Sequence, residues 1–355
     1  MDYTNLGKTG LRVSRLCLGT MMFGAWGNRD HDACVRMVHT ALDAGVNFVD
    51  TADVYAFGET EEILGRALKG RRDSVVLATK FGEQMDHGEP LTRGASRRWI
   101  MRAVEDSLRR LGTDRIDLYQ LHRFDPGTDL DETLGALTDL IRQGKVRAIG
   151  SSAFPADRIT EGQWVAERRG RERFAVEQLA YSALARHAEA SALPACERYG
   201  LGVMVYSPLN GGWLTGKYRA GSPAPADSRA VRNAEHFDHA QEAVRTRKYA
   251  IVEGIATLAA ESGHTMVELA IGFVLAHPAV SSAIMGPRTM EQLTAQLGAV
   301  DVTLGPDVMD RMDVLVAPGT DVNPADSPYV PPALTDPALR RRGYARRPEQ
   351  PARTA

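Results

Sequence analysis

A (β/α)8 barrel is the fold class that this sequence predicts. Two observations carry the prediction. Eight short apolar runs alternate with amphipathic stretches over about 250 residues, the usual extent of such a barrel. The runs are also rich in Val, Ile and Leu with little internal alternation, as strands buried on both faces are. A doubly wound open sheet is the runner-up, disfavoured because no Gly-rich turn follows the first run.

The first sixteen residues alternate weakly and turn at Gly7-Lys8-Thr9-Gly10, which reads as a hairpin ahead of the barrel. The barrel strands are expected at 15–18, 48–50, 75–79, 117–121, 146–150, 174–178, 202–206 and 281–285. Between them, 30–44 opens on acids and stops at Gly45, 59–68 ends before Gly70, and 96–111 runs from a capping Ser96 to Gly112. Further helices fit 131–142, 156–169, 187–199, 266–276 and 289–297. Residues 209–262 form an overlong connection with a Gly221-Ser222-Pro223-Ala224-Pro225 stretch and room for an extra helix.

The barrel is expected to be one domain over 1–316, with a Pro/Arg-rich loop and tail over 317–355. Loss of periodicity there reads as disorder, although its first part, to about Leu334, could cover a substrate pocket.

Of the 355 residues, 43 are basic and 45 acidic, giving a net charge of −2 that invites neither nucleic acid nor a membrane surface as partner. No apolar stretch approaches a membrane span, and the N-terminus lacks a basic region followed by an apolar core. Cys17, Cys34 and Cys196 are scattered without metal-ligand spacing. A cytoplasmic, reduced, metal-free protein is expected. Its oligomeric state is not written in the sequence.

Three expected strand ends carry chemistry. Asp50 ends the second, Lys80 follows the third, His122 follows the fourth, and Tyr55 lies in the loop after the second. In such barrels the strand C-termini share one mouth, so the four side chains can converge. A free phenol titrates near pH ~10, and an adjacent ammonium should lower that value and strengthen the acid. Asp50 can hold the ammonium, and His122 can orient a carbonyl oxygen. The set suits delivery of a proton to a developing alkoxide, which requires a hydride donor. Taken singly, each residue has an ordinary reading as cap, surface charge or packing; together they are harder to dismiss.

Asp50-Thr51-Ala52 through Tyr55, with Glu59 and Gly65, Thr79-Lys80 and Gln120-Leu121-His122, resembles the signature of the aldo-keto reductases from Leu6-Gly7 to about Leu315. The resemblance implies that Asp50, Tyr55, Lys80 and His122 form the catalytic tetrad, with Tyr55 the proton donor. It also implies NADPH as cofactor and a small-molecule aldehyde, ketone or keto-sugar as substrate. A cofactor-binding regulatory subunit is the alternative, since some relatives act through partner proteins.

No GxGxxG follows a strand, and Gly211-Gly212-Trp213-Leu214-Thr215-Gly216-Lys217 imitates a P-loop only until Tyr218, where a Ser or Thr is needed. The barrel offers another anion site, the helix start at Gly286-Pro287-Arg288-Thr289. By the resemblance, Gly19, Thr20, Met21 and Asp50 border the cofactor, Ser152 and Gln178 hold the carboxamide, and Tyr206 stacks on the nicotinamide. Ser207, Pro208, Leu209, Gly211 and Lys217 resemble the pyrophosphate loop; Gly286, Arg288, Gln292 and Gln296 resemble the segment for adenosine and its 2′-phosphate. Two departures stand out: Ala153 occurs where Asn is frequent, and Ala295-Gln296 where Glu and Asn are. Met22, Phe23, Trp26, Phe81 and Phe124, with Tyr55, are the expected pocket lining.

Overall fold

The computed structural model describes residues 1–234 and 237–340; the remainder of the expected tail, 341–355, lies outside the described residues. A hairpin of β1 (Tyr3–Asn5) and β2 (Arg12–Ser14) precedes the barrel. Eight parallel strands follow: β3 (Leu16–Gly19), β4 (Phe48–Asp50), β5 (Val76–Phe81), β6 (Ile116–Leu121), β7 (Val146–Ser152), β8 (Val176–Ala180), β9 (Gly202–Tyr206) and β10 (Val280–Met285). They pair in chain order, and β10 pairs back onto β3 to close the barrel. The predicted (β/α)8 barrel is the observed fold.

The outer layer comprises α1 (His31–Asp43), α2 (Glu59–Leu68), α3 (Arg97–Leu111), α4 (Leu130–Arg142), α5 (Ala156–Arg169) and α6 (Ala192–Tyr199). It continues with the short α7 (Arg229–Arg232), α8 (Glu242–Glu261), α9 (Met266–Ala276), α10 (Met290–Leu297) and α11 (Pro306–Leu315). Ser96 caps α3 by accepting from the Trp99 N–H, and Thr265 with Glu268 forms a reciprocal capping box on α9. The single helix expected over 187–199 is instead a 3-10 turn, His187–Ala190, followed by α6. Pro194 explains the break, because it fits only within the first turn of an α-helix. No single helix among the described residues is long and apolar enough to cross a membrane.

Strand residues alternate between the barrel interior and the helix layer. The interior core comprises Cys17, Phe48, Ala78, Leu118, Ala148, Val176, Met204 and Ile284, with Leu6 and Val13 of the hairpin sealing its lower end. The hairpin turn lies hard against the start of β9: a Cβ on Gly7, at φ 56°, would stand 2.2 Å from the Gly202 nitrogen. All three cysteines are buried and free.

The insertion after β9 contains the expected extra helix, the twenty-residue α8. Over 316–326 the chain stays packed against the body of the molecule, where the sequence reads as disorder from Ala317 onward. The Thr320 carbonyl accepts from the Arg186 N–H at 2.9 Å, and the Val322 N–H donates to Leu184 at 2.9 Å. Arg186 also reaches the Val316 carbonyl, 2.6 Å away. Further on, Asp326 approaches the buried ammonium of Lys248 to 3.0 Å; Lys248 also contacts Asp238 and the Asn210 side chain, both at 2.6 Å. These contacts compensate for an apolar periodicity that the segment lacks.

Candidate active site

The same alternation that builds the core decides which side chains reach the mouth. Phe48 and Ala78 face inward, so Asp50 and Lys80, two residues on, do so as well. Lys80 Nζ lies 2.6 Å from Asp50 Oδ2, 2.8 Å from the Thr51 carbonyl and 3.3 Å from the Tyr55 hydroxyl. Lys80 is 0% exposed and Asp50 2%. The Gln178 amide donates to Asp50 Oδ1 at 2.8 Å, and that of Gln120 at 3.3 Å. The His122 ring stands edge-on to Tyr55, with centroids 5.8 Å apart, and its Nδ1 is buried without a hydrogen-bond partner. The four residues expected to converge do so.

Electrostatics refine the expected chemistry. Burial raises the Tyr55 pKa above that of an ordinary phenol; Lys80 pulls it down and Asp50 pushes it up. The expected net lowering therefore does not occur, because desolvation of the phenolate outweighs the nearby ammonium. Burial pulls the Lys80 pKa down, but Asp50 and Tyr55 more than compensate, so the ammonium stays charged. Burial, with Lys80 and Arg123, holds His122 well below the usual imidazole value, which makes its neutral form dominant at pH 7. The site thus contains a protonated phenol, a charged ammonium and a neutral imidazole.

Two expected pocket residues are not at the mouth. Phe81 follows the inward Lys80 and so faces the helix layer, 0% exposed and stacked on Tyr119 at 4.7 Å. Phe23 is also 0% exposed and belongs to the core beneath the loop. Phe124 packs edge-on against Phe154 at 5.4 Å, with the Arg158 guanidinium 5.0 Å from its ring. Met22 is part-buried at the base of the same loop as Trp26, its carbonyl accepting from the Asn28 N–H.

Trp26 is placed as expected, 42% exposed and 6.1 Å from the Tyr55 ring. Sequence reasoning missed Phe57, which is 52% exposed, edge-on to Trp26 at 6.0 Å and held at φ 52°. It also missed Arg123, beside His122, and Gln120, whose inward parity was the available signal.

The turn after β7 is unusual. Ala153 adopts φ 57°, a left-handed conformation in which Asn is far commoner than Ala. Its neighbour Ser152 is buried at the end of the strand. Glu177 fixes this turn from the outward face of β8, receiving the Ser151 hydroxyl at 2.5 Å and the Phe154 N–H at 3.0 Å. Burial raises its pKa from 4.5 to about 8, against the opposing pull of those hydrogen bonds. A carboxyl raised in this way contributes stability that is complete below its unfolded value and is lost as pH rises through about 8. Glu177→Gln should therefore gain stability relative to wild type between pH 5 and 9, by at most about 5 kcal/mol. Denaturation midpoints of both proteins across that range test this; a pH-independent difference would refute it.

Around the strand ends that follow, Tyr206 is part-buried at the end of β9, and Ser207 and Asn210 hold φ 57° and 46°. Pro208 is buried and Leu209 part-buried between them. Gly211 and Gly212 hold φ 66° and 105°, which side chains rarely adopt; a Cβ on the first would meet the Phe237 ring at 2.7 Å, and one on the second would displace the Lys217 ammonium 2.8 Å away. Gly19 lies equally close to Ile284, Thr20 bonds the Asp50 carbonyl, and Met21 is part-buried beside it.

Farther out, Arg288 pairs with Asp227, which also lies 3.5 Å from Arg232. The Arg288 N–H donates to the Gln292 side chain at 2.8 Å, Gln296 is buried on α10, and Gly286 is open to solvent. Among the described residues Lys217 pairs with no acid; burial and the charges of Arg232, Arg288 and Arg229 depress its pKa. Positive charge therefore exceeds negative here, which fits a phosphorylated ligand. The Ser228 hydroxyl and Arg229 Nε, buried nearby with no hydrogen-bond partner among the described residues, are consistent with the same ligand.

Comparison with known proteins agrees with this geometry. Residues 15–317 match the Aldo/keto reductase family. The chain is 40% identical over 331 residues to the uncharacterized oxidoreductase YrpG of Bacillus subtilis, covering 90% of this chain and 97% of that protein. It is 38% identical over 329 residues to a probable voltage-gated potassium channel subunit beta of Oryza sativa, covering 89% and 97% respectively. Over 320 residues it is 34% identical to the aldo-keto reductase YhdN of Bacillus subtilis, covering 88% and 92%.

Proposed function

The chain belongs to the aldo/keto reductase family, and we propose that it is an NADPH-dependent oxidoreductase that reduces the carbonyl of a small aldehyde, ketone or keto-sugar. The observation that carries this reading is the buried Lys80–Asp50 pair 3.3 Å from the Tyr55 hydroxyl, with a neutral His122 alongside.

Tyr55 is the general acid, giving its proton to the substrate oxygen as negative charge develops there. Lys80 stabilises the phenolate left behind, and Asp50 keeps Lys80 charged and in place. The His122 N–H directs the carbonyl oxygen toward Tyr55. The nicotinamide, when bound, supplies the hydride. Ser152 and Gln178 are assigned to its carboxamide, Tyr206 to its ring, and Ser207, Leu209, Gly211 and Lys217 to the pyrophosphate. Arg288, with Gln292 and Gln296 on the adjoining helix, is assigned to the adenosine 2′-phosphate.

Following NADPH absorbance with a panel of aldehydes and ketones tests the reading. Turnover supports it; saturable NADPH binding with no turnover on any of them favours the second reading, a cofactor-binding regulatory subunit. The potassium channel β relative is the observation behind that alternative.

Cofactor choice gives a sharper test. Arg288→Ala should weaken NADPH about tenfold to a hundredfold and spare NADH, since a charge-assisted hydrogen bond is worth roughly 1.5–3 kcal/mol. Lys217→Ala should weaken both, because the pyrophosphate is common to them. Fluorescence titration of each cofactor measures the two effects. Equal losses for NADPH and NADH in Arg288→Ala would remove the 2′-phosphate assignment.

A further inference from the structure

We propose that Arg123 forms an anion subsite at the barrel mouth and that the preferred substrates are aldehydes or ketones bearing a carboxylate. The proposal rests on the reductase reading above and names the class of substrate within it.

Arg123 directly follows His122 on the loop leaving β6, and its side chain is 50% exposed. Its ion-pair partner is Glu83, itself 40% exposed, with Nε to Oε1 at 3.5 Å, beyond a good N–H···O hydrogen bond. A pair this open is weakly coupled and leaves the guanidinium able to take a second anion. The group faces inward as well as outward. Its charge bears on Tyr206, Tyr55 and His122 alike. The other cation of the site, Lys80, is committed to Asp50 at 2.6 Å and is 0% exposed. Arg123 is thus a cation at the mouth with capacity to spare for a substrate anion.

The rest of the rim defines the body of such a substrate. Trp26 and Phe57 are 42% and 52% exposed, and the Trp26 ring lies 6.1 Å from that of Tyr55, tilted by 58°. Large exposed aromatics beside a reaction centre form a surface for an apolar ring or chain. Phe57 is kept there at φ 52°, a conformation costly for a bulky residue unless its surroundings enforce it. A planar body against these rings, with its carbonyl at Tyr55, can extend a carboxylate to Arg123. Guanidinium and carboxylate then match in a two-pronged pairing that a neutral ester cannot make.

The test compares meta-carboxybenzaldehyde with its methyl ester as substrates of the wild type, Arg123→Met, Arg123→Lys and Glu83→Gln. In the wild type the acid should have the higher kcat/KM, by about tenfold or more, mainly through KM. Arg123→Met should abolish that preference, Arg123→Lys should restore part of it, and Glu83→Gln should enlarge it. Added salt should shrink it. An acid no better than its ester, or a preference unchanged in Arg123→Met, overturns the proposal. If neither these aldehydes nor any of the wider panel is reduced, the reductase reading fails. Calorimetric titration of isophthalate against isophthalamide in wild type and Arg123→Met then decides the subsite alone: a diacid affinity that depends on Arg123 upholds it, and equal affinities sink it.

Discussion

Replacing Tyr55 by Phe is expected to lower the rate of carbonyl reduction about 10²–10⁴-fold, the usual worth of a positioned general acid. The substitution is well isolated. The Phe ring can keep the contacts of the tyrosine with Trp26 at 6.1 Å, with His122 at 5.8 Å and with the Lys80 ammonium at 4.9 Å from its centroid. Only the hydroxyl, 3.3 Å from Lys80, is lost. NADPH affinity should therefore change little, which fluorescence titration can check beside single-turnover rates. A variant that keeps most of the wild-type kcat would show that another group delivers the proton.

Lys80→Met should be damaging in two separable ways. The side chain is fully buried, and its removal leaves the Asp50 carboxylate with only the Gln178 and Gln120 amides as hydrogen-bond partners. Breaking a buried pair from one side costs about 3–5 kcal/mol. Turnover should also collapse, since the phenolate of Tyr55 then loses the ammonium 3.3 Å away. The paired substitution Asp50→Asn with Lys80→Met separates the effects: it removes the stranded charge and should recover most of the denaturation midpoint, but not the rate. Recovery of both would reduce the lysine to a structural part.

The helices were largely legible, because their ends are chemically marked. Ser96 caps where expected, and Gly112 and Gly170 adopt the left-handed conformation that stops α3 and α5. Strand ends were less so. β5 runs to Phe81 and β8 to Ala180, each two residues past the predicted end. Lys80 accounts for the first: a polar residue reads as loop, yet at a barrel mouth it is a strand residue turned inward to the site.

The same parity separates what was readable in the site from what was not. Asp50, Lys80, Gln120 and Gln178 share the inward register, while Phe81 and Tyr119 have the outward one. Hydrophobic character alone could not distinguish a pocket aromatic from a core one. Arg123 was passed over because a charge in a loop usually means a solvated surface. The cofactor assignments lean on resemblance more than on geometry, although Lys217, paired with no acid among the described residues, and the arginines around Asp227 lend them support.

Lys248 has a consequence for how such barrels can be recombined. It joins Asn210, Asp238 and Asp326, three residues from stretches far apart in the chain, through one buried ammonium. Exchanging the insertion after β9 between relatives, or grafting a foreign C-terminal stretch, would bring in a partner shaped for a different hub. Crossovers that keep 210–326 together preserve the match. Those that fall inside it should give hybrids whose barrels assemble but whose loops around Lys248 no longer fit together, so these remote stretches are best inherited as one block.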